Sequence, residues 1–282
     1  MFQPTAKIIC DSVNTSGDRL TTFVLTYHRL VHSEFMTHRM LSKNSSSSRA
    51  IPVEKMIALV ENQEVYPLHW GKNQKGMVAE QELSAAYQIA AKRIWDSARE
   101  EAIAYARELA EIGVHKQVVN RLLEPFSTIT VICSGTEYQS FFNQRCHPDA
   151  QPEIKALADA MKAAYDASEP NQLDAGDWHL PFTQDIDSDL DFDQEQLWTD
   201  QYINSVLVKV AIGRCARVSY LNHDGVRNIK DDIKLHDRLL TSKPPHFSPF
   251  EHVAIALPNS EKRANFTGFE SYRYQLERKA IA

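Results

Sequence analysis

The scarcity and spacing of glycine constrain the fold of this 282-residue chain more than any other sequence feature. Only nine glycines are present, and no two are two residues apart, so the G-x-G-x-x-G turn of dinucleotide-binding folds is absent. The nearest approach to a P-loop runs from Gly71 to Gly76, but Met77 follows where that motif requires lysine. The sequence therefore excludes a Rossmann or P-loop architecture, and any phosphate group must be bound by other means.

The composition is that of a globular chain without a general nucleic-acid-binding surface. Hydrophobic residues make up 43% and charged residues 24%, and the net charge of −6 has the wrong sign for a phosphate-backbone binder. The four cysteines lack C-x-x-C spacing, the N-terminus lacks a signal-peptide pattern, and no apolar run approaches a membrane span. We expect a reduced, cytoplasmic protein without a nucleic-acid or membrane partner.

Strand and helix patterns alternate in the first part of the chain. The β-branched and aromatic residues 20–31 predict a strand, and 32–41 predict a helix with Ser33 as its N-cap. Residues 79–112 are rich in helix-forming Ala, Glu, Arg and Leu, and Gly113 is a natural stop.

Helical patterns dominate the rest, so we predict a single α+β domain over residues 1–282, with more helix than strand. Residues 168–197 are polar and acidic and predict a surface insertion or lid, and residues 258–282 form a C-terminal extension that we expect to pack on the core. The further predicted helices are 115–124 (ending before Pro125), 136–145, 152–167, 198–217 and 228–240, and the further strands are 126–133 and 252–257.

A hydroxyl-rich segment offers hydrogen-bond donors to an anion. The pair His38-Arg39 is followed by four serines, Ser45 to Ser48, and then Arg49. Hydroxyls, backbone amides and arginine together suit a phosphate or ribose phosphate. A flexible serine linker is the alternative interpretation of the same residues.

Two further arginines have unusual surroundings in the sequence. Arg121 lies near a predicted helix end, and Arg145 follows two phenylalanines in another helix. Burying an arginine without a partner is costly, so each needs a ligand or a structural ion pair. Glu124 and Glu153 are the candidate structural partners, and the two interpretations stay open.

The segment from His246 to His252 carries two histidines, but without helical spacing or a third ligand they are weak evidence for a metal, and we assign none. A helix-start turn, with Ser248 as the cap and Pro249 at the first position, explains the segment more simply.

Taken together, these segments resemble the flavin-dependent thymidylate synthases (ThyX). The family signature is Arg-His-Arg-x-x-Ser-x-Asn-Glu-x-Ser-x-Arg, and the residues in register with it here are Thr37, His38, Arg39, Ser42, Asn44, Ser47 and Arg49. Residues 140–145 and 150–154 resemble the family's Asn-Phe-Leu-x-Leu-Arg helix and its Ala-Gln-x-Glu-Ile continuation, and Arg121 matches another family arginine.

The order of the segments departs from the family. The motif Ala-Arg-Val-Ser at 216–219 and the turn at 246–252 lie near the C-terminus here, whereas they precede the signature in the usual layout. The resemblance therefore implies a circularly permuted ThyX-like domain, α+β, with a helix-rich core and a small antiparallel sheet. Exposed, adjacent termini tolerate such a permutation.

The resemblance also implies an activity, reductive methylation of dUMP at C5, by a homotetramer. FAD would carry hydride, with methylene-tetrahydrofolate and NADPH as co-substrates. It implies flavin contacts at Thr37, His38, Arg39, Ser45, Ser134, Gly135, Thr136, Ser140 and Ser248. It implies nucleotide contacts at Glu34, Ser45, Ser46, Ser47, Ser48, Arg49, Arg121 and Arg145, with Arg145 catalytic and His246 in the folate region.

Three departures from the family pattern leave alternatives open. Thr37 replaces the first signature arginine, Ser45 replaces the glutamate, and Glu34 stands where the family commonly has glutamine. A carboxylate at 34 could accept from an exocyclic amine, which would suit dCMP. The alternatives are a pyrimidine-nucleotide hydroxymethylase or dCMP C5-methylase for modified-DNA synthesis, and a non-catalytic nucleotide-binding relative.

Overall fold

The computed structural model describes residues 2–77, 79–184, 186, 200–220 and 228–281. The strands are β1 (Thr5–Asn14), β2 (Arg19–His28), β3 (Ser42–Ser45), β4 (Thr128–Gly135), β5 (Asn171–Leu173), β6 (Trp178–His179), β7 (Ala254–Ala256), β8 (Lys262–Arg263), β9 (Phe266–Thr267) and β10 (Phe269–Ser271). The α-helices are α1 (His32–Met36), α2 (Val53–Asn62), α3 (Ala85–Glu111), α4 (Lys116–Val119), α5 (Gln139–Arg145), α6 (Pro152–Ala167), α7 (Asp200–Arg217), α8 (Ile229–Thr241) and α9 (Tyr272–Ile281). Short 3₁₀ turns span Arg29–Val31, Asn120–Phe126, Val218–Tyr220 and Ser248–His252.

A five-stranded sheet, in the order β3-β4-β2-β1-β5, organises the molecule. Its pairs are antiparallel except β1 with β5. Side chains alternate across a strand, so Phe23, Leu25 and Tyr27 of β2 share one face, where they are fully buried against α5 and α6. The opposite face, with Val24 and Ile132, packs on α7.

Two further cores complete the fold. Apolar residues of α2, α3 and the Asn120–Phe126 turn form one of them, to which α3 contributes only Ile103 and Ala106 as buried residues. The other joins α7 to the Ser248–His252 turn, around Phe250. Within the described ranges, no helix is both long and apolar enough to cross a membrane.

The α+β class is confirmed, and α6 has the predicted bounds because its sequence is regularly amphipathic. Gly113 has a φ of +84°, which suits glycine at a helix end. The extension also packs inward: Phe266 and Phe269 are buried, and Asn265 Nδ2 donates to Ser42 Oγ at 3.0 Å.

Several local predictions were wrong because long-range pairing overrode local pattern. The helix predicted over 32–41 ends at Met36, and Ser33 is not its cap but donates to Glu34. Residues 42–45 form an edge strand instead of a loop, since β4 satisfies their backbone groups. The helix predicted over 115–124 is α-helical only in α4 and continues as a 3₁₀ turn that includes Pro125.

The described residues of the predicted surface insertion at 168–197 differ along its length: residues 168–177 are exposed or half-buried, whereas the residues that follow enter the packed interior. β5 pairs with β1 at the edge of the five-stranded sheet, and β6 pairs with β7 in a three-stranded sheet of order β10-β7-β6, so this stretch contributes to two sheets. His179 is completely buried and Phe182 is nearly so. Residues 185 and 187–197 of the prediction lie outside the described residues.

Candidate functional site

Strand β3 joins the signature segment to the C-terminal motifs. Alternation places Ser42 and Asn44 on the face opposite Lys43 and Ser45. Asn44 Nδ2 donates to the Cys215 carbonyl at 3.2 Å, and Ser42 Oγ donates to Glu251 Oε1 at 3.1 Å. Motifs about 170 to 210 residues apart therefore meet at one sheet edge.

A cavity of about 410 Å³, the Arg49 cavity, lies beside this edge. Ser47 and Arg49 of the signature line it together with Ser219, His246 and Ser248 from the C-terminal motifs. Arg49 is exposed and makes no ion pair within the described part of the chain. Cations and hydroxyls without a carboxylate suit an anion such as phosphate.

A second cavity of about 400 Å³, the Arg39 cavity, shares Ser248 with the first. Arg39 lines it without an ion-pair partner among the described residues. Arg273 of α9 also lines it, but its guanidinium pairs with Glu251 at 3.2 Å and Glu277 at 2.8 Å. The Ser248–His252 turn thus lies between two cavities, and Ser248 is part of the turn itself instead of capping it.

Arg145 and His38 form the third element of the site. Arg145 Nε donates to His38 Nε2 at 2.9 Å, and the imidazole packs edge-on against Phe141. Burial, with the charges of Arg145 and Lys43, lowers the pKa of His38 to about 4. His38 is therefore neutral at pH 7 and accepts at Nε2, and the half-buried Arg145 makes no ion pair with a carboxylate in the described chain.

Alternate serines of the hydroxyl segment face inward, which contradicts part of the predicted nucleotide site. Ser46 Oγ accepts from the Thr130 amide at 3.2 Å, and Ser48 Oγ donates to Glu124 Oε1 at 2.7 Å. Both serines are buried, whereas Ser45 and Ser47 are half-buried. Strand β3 ends at Ser45 and a turn begins after Ser47, so the burial of each serine, and not a strand alternation, decides which hydroxyls can face a ligand.

The predicted flavin contacts at 134–136 are residues that are buried or already hydrogen-bonded within the chain. Ser134 is fully buried between Thr22 Oγ1 and His252 Nδ1, at 2.7 and 2.8 Å. Gly135 is buried where an added Cβ would lie 2.7 Å from Leu41. Thr136 Oγ1 accepts from the Thr267 amide of β9 at 3.1 Å. These polar groups are already used within the chain.

For Arg121, the structural ion pair is the correct interpretation. Its guanidinium contacts Glu124 at 2.8 Å, and the same carboxylate oxygen accepts from Arg29 and Ser48. Arg121 lines neither cavity.

The other predicted residues lie apart from the cavities. The residues that line neither one are Glu34, Thr37, His38, Ser45, Ser140 and Arg145. Thr37 Oγ1 donates to the Glu34 carbonyl at 2.7 Å, and Ser140 is exposed on α5, the helix that carries Arg145. The predicted site is therefore divided, with one part on α1 and α5 and the other at the β3 edge.

Sequence reasoning missed a buried chain of hydroxyls and imidazoles. His179 bonds Ser12 through Nδ1 and Thr22 through Nε2, both at 2.8 Å, and Thr22 leads through Ser134 to His252. Burial lowers the pKa of both histidines to about 3. These hydrogen bonds fasten β6 and the Ser248–His252 turn to the sheet, and their only sequence signal was a hydroxyl residue within each of two apolar strands, Thr22 in β2 and Ser134 in β4.

A buried carboxylate, also missed, positions the Ala-Arg-Val-Ser motif. Asp232 of α8 accepts from Arg217 Nε at 2.6 Å and from Arg214 Nε at 3.0 Å. This arrangement holds α8 against α7, and Ala216 and Ser219 then line the Arg49 cavity.

This fold and these cavities define an α+β protein whose cavities are lined by arginines and hydroxyls and contain no glycine-rich turn. The sequence model of the thymidylate synthase complementing protein family (Thy1) matches residues 20–171, just over half of the chain. The chain belongs to this family, which confirms the resemblance and places it among thymidylate synthase-type enzymes.

Solved structures similar to this chain include a nucleotide methylase. A UMP/dUMP methylase, PolB from Streptomyces cacaoi, bound with 5-Br UMP, is similar at 15% identity and a TM-score of 0.47, covering 58% of this chain and 89% of that one. The same methylase bound with 5-Br dUMP is similar at 14% identity and a TM-score of 0.47, covering 58% of this chain and 90% of that one. No curated protein matches the sequence.

Proposed function

We propose that this protein methylates dUMP at C5, with methylene-tetrahydrofolate as one-carbon donor, NADPH as reductant and FAD as hydride carrier. The observation that carries the proposal is the charged Arg145, held by a neutral His38 and lacking a carboxylate partner within the described chain. A guanidinium beside uracil stabilises the N3-ionised ring and increases the electron density at C5, which is otherwise a poor nucleophile.

The Arg49 cavity is our proposed site for the nucleotide phosphate. Arg49 and Ser47 supply charge and a hydroxyl, and Ser219 adds a second hydroxyl from the C-terminal motif. Fixing the phosphate would hold the pyrimidine in one orientation, so that carbon transfer becomes effectively unimolecular. His246 at the rim is a candidate contact for the folate.

The donor set of the Arg39 cavity fits a flavin in part. Arg39 and Ser248 would hold the flavin diphosphate, because both face the cavity and Arg39 makes no ion pair in the described chain. Residues 134–136 do not contribute because their polar groups are engaged within the chain. When bound, the flavin supplies hydride transfer; the protein's part is to bind and orient it.

We also propose a homotetramer and a circular permutation. The division of the candidate site between α1–α5 and the β3 edge supports completion of each site by another subunit. The backbone amide of Ser47 donates to the Ser219 carbonyl at 3.1 Å, so the signature and the displaced motif are neighbours in space, as a permutation requires. The family match ends at residue 171, before both displaced motifs.

A product assay tests the function. Purified protein is incubated with FAD, NADPH, methylene-tetrahydrofolate and dUMP, UMP or dCMP, and the nucleotide is analysed by mass spectrometry. We expect FAD absorbance in the protein and a methyl group on dUMP. A hydroxymethyl product or preferential turnover of dCMP would support the alternative enzymes, and absence of both FAD uptake and product would overturn the proposal.

A further inference from the structure

The longest helix, α3, exposes large apolar side chains that no described part of the chain covers. Tyr87, Ile94 and Tyr105 of this helix and Ile112, the C-cap residue that follows it, are 69%, 71%, 53% and 77% exposed. Their spacings of 7, 11 and 7 residues keep them within about 20° of one another around an α-helix. They therefore form one stripe along a helix of 27 residues, about 40 Å long.

Four further residues of α3 lie between these apolar side chains on the same face of the helix and continue the stripe with a regular spacing. Ala91, Ala98, Glu101 and Glu108 fill the gaps, so that the stripe advances by alternating steps of four and three residues. This is the 3.5-residue period of a helix-to-helix interface. We call these eight positions the α3 seam. The adjacent outward positions Ala90, Ser97 and Ala104 are small, which permits close approach of a second helix.

We propose that the α3 seam is a two-fold interface at which α3 packs antiparallel on α3 of a second copy of this chain. Reversing the seam about its midpoint maps it onto itself. Residue 87 then faces 112, residue 94 faces 105, residue 91 faces 108 and residue 98 faces 101. Such self-complementarity is what an isologous contact requires.

The charged residues of α3 favour an antiparallel over a parallel arrangement of two copies of this helix. In a parallel pair, Glu101 and Glu108 would each face their own counterparts and repel them. In the antiparallel pair each glutamate faces an alanine instead, and the exposed Arg93 near the N-terminal end lies beside the acidic C-terminal end of the partner helix. The inference does not depend on the proposed reaction, because it is tested by the mass of the particle in solution and by which residues of the two helices face each other.

Particle mass gives the first test. The double variant Ile94→Glu/Tyr105→Glu places charges in the seam and should halve the particle mass measured by light scattering after gel filtration. Both side chains are exposed, so circular dichroism should show the helix content of the parent. Ile89→Glu is the matched control, since Ile89 is 57% exposed on the same helix but off the seam. A parent that is already monomeric, or a double variant of unchanged mass, would overturn the proposal.

Disulfide trapping tests the register. When Ile94→Cys and Tyr105→Cys proteins are mixed and oxidised, a 94–105 disulfide should form between chains and be found by peptide mass spectrometry. Each variant alone should give no such link, because equal residues lie about 16 Å apart along the seam in this register. Cross-links of 94 to 94 would indicate a parallel pair and refute the arrangement.

Discussion

Two hydroxyl-rich regions of this protein look alike in sequence and differ in what they can do. In the sheet interior, Thr22 and Ser134 bond each other and the two buried histidines. At the sheet edge, Ser47 faces a cavity beside Arg49. A hydroxyl can bind a ligand only when the chain has not already used it, so burial and pairing separate a structural serine from a binding one.

Arg145→Ala should cause the largest effect, because it removes the charge at the proposed reacting ring. We expect a loss of product formation of about 100-fold or more with FAD still bound. Steady-state assay and flavin absorbance measure the two properties. Arg121→Ala is the matched control, since Glu124 already neutralises that arginine. Equal losses in both variants would contradict the division between ligand-binding and structural arginines.

The second largest effect should come from acid, which should lower the stability of the folded protein through the two buried histidines. Unfolded histidine has a pKa near 6.5, whereas burial lowers the pKa of His179 and His252 to about 3. Below pH 6.5 the unfolded chain takes up protons that the folded chain does not, so the free energy of unfolding falls as the pH falls from about 6.5 towards 3. We expect Tm to decrease over this range, and less steeply in His252→Asn, which retains a hydrogen-bonding group. Identical slopes in the two proteins would count against the buried chain.

Ser134→Ala should destabilise the protein by about 1–3 kcal/mol, because a buried imidazole loses its partner. Chemical denaturation measures this difference. The exposed Ser140→Ala is the control and should change the free energy of unfolding by less than about 0.5 kcal/mol. If Ser134→Ala left the free energy of unfolding unchanged, the Ser134 hydroxyl would not stabilise the buried hydrogen bonds.

Adjacent serines offer the finest comparison. Ser48→Ala should cost about 1 kcal/mol of stability, because its bond to Glu124 is lost, with little effect on KM. Ser47→Ala should raise the KM for the nucleotide several-fold and leave Tm unchanged. The reverse result would show that the inward and outward directions of the segment are assigned to the wrong residues.

Much of the fold could be predicted from local pattern. Regular amphipathic spacing was sufficient for α6, and β-branched alternation was sufficient for β2 and β4. Strand β3 was missed because its partner residues, 131–134, are almost ninety positions away. The local sequence of a polar loop does not differ from that of a polar edge strand, because pairing with a distant strand decides which of the two forms.

The candidate site divides in the same way. By residue type, the sequence determined which segments could bind an anion and, by motif register, the family to which the chain belongs. Tertiary structure alone decided which of these groups remain available: Arg121 is paired with Glu124, Ser134 is enclosed, and Arg145 contacts a neutral imidazole instead of a carboxylate. Residue chemistry is local, whereas burial and pairing depend on contacts between distant segments, and those contacts determine whether a polar group faces a ligand.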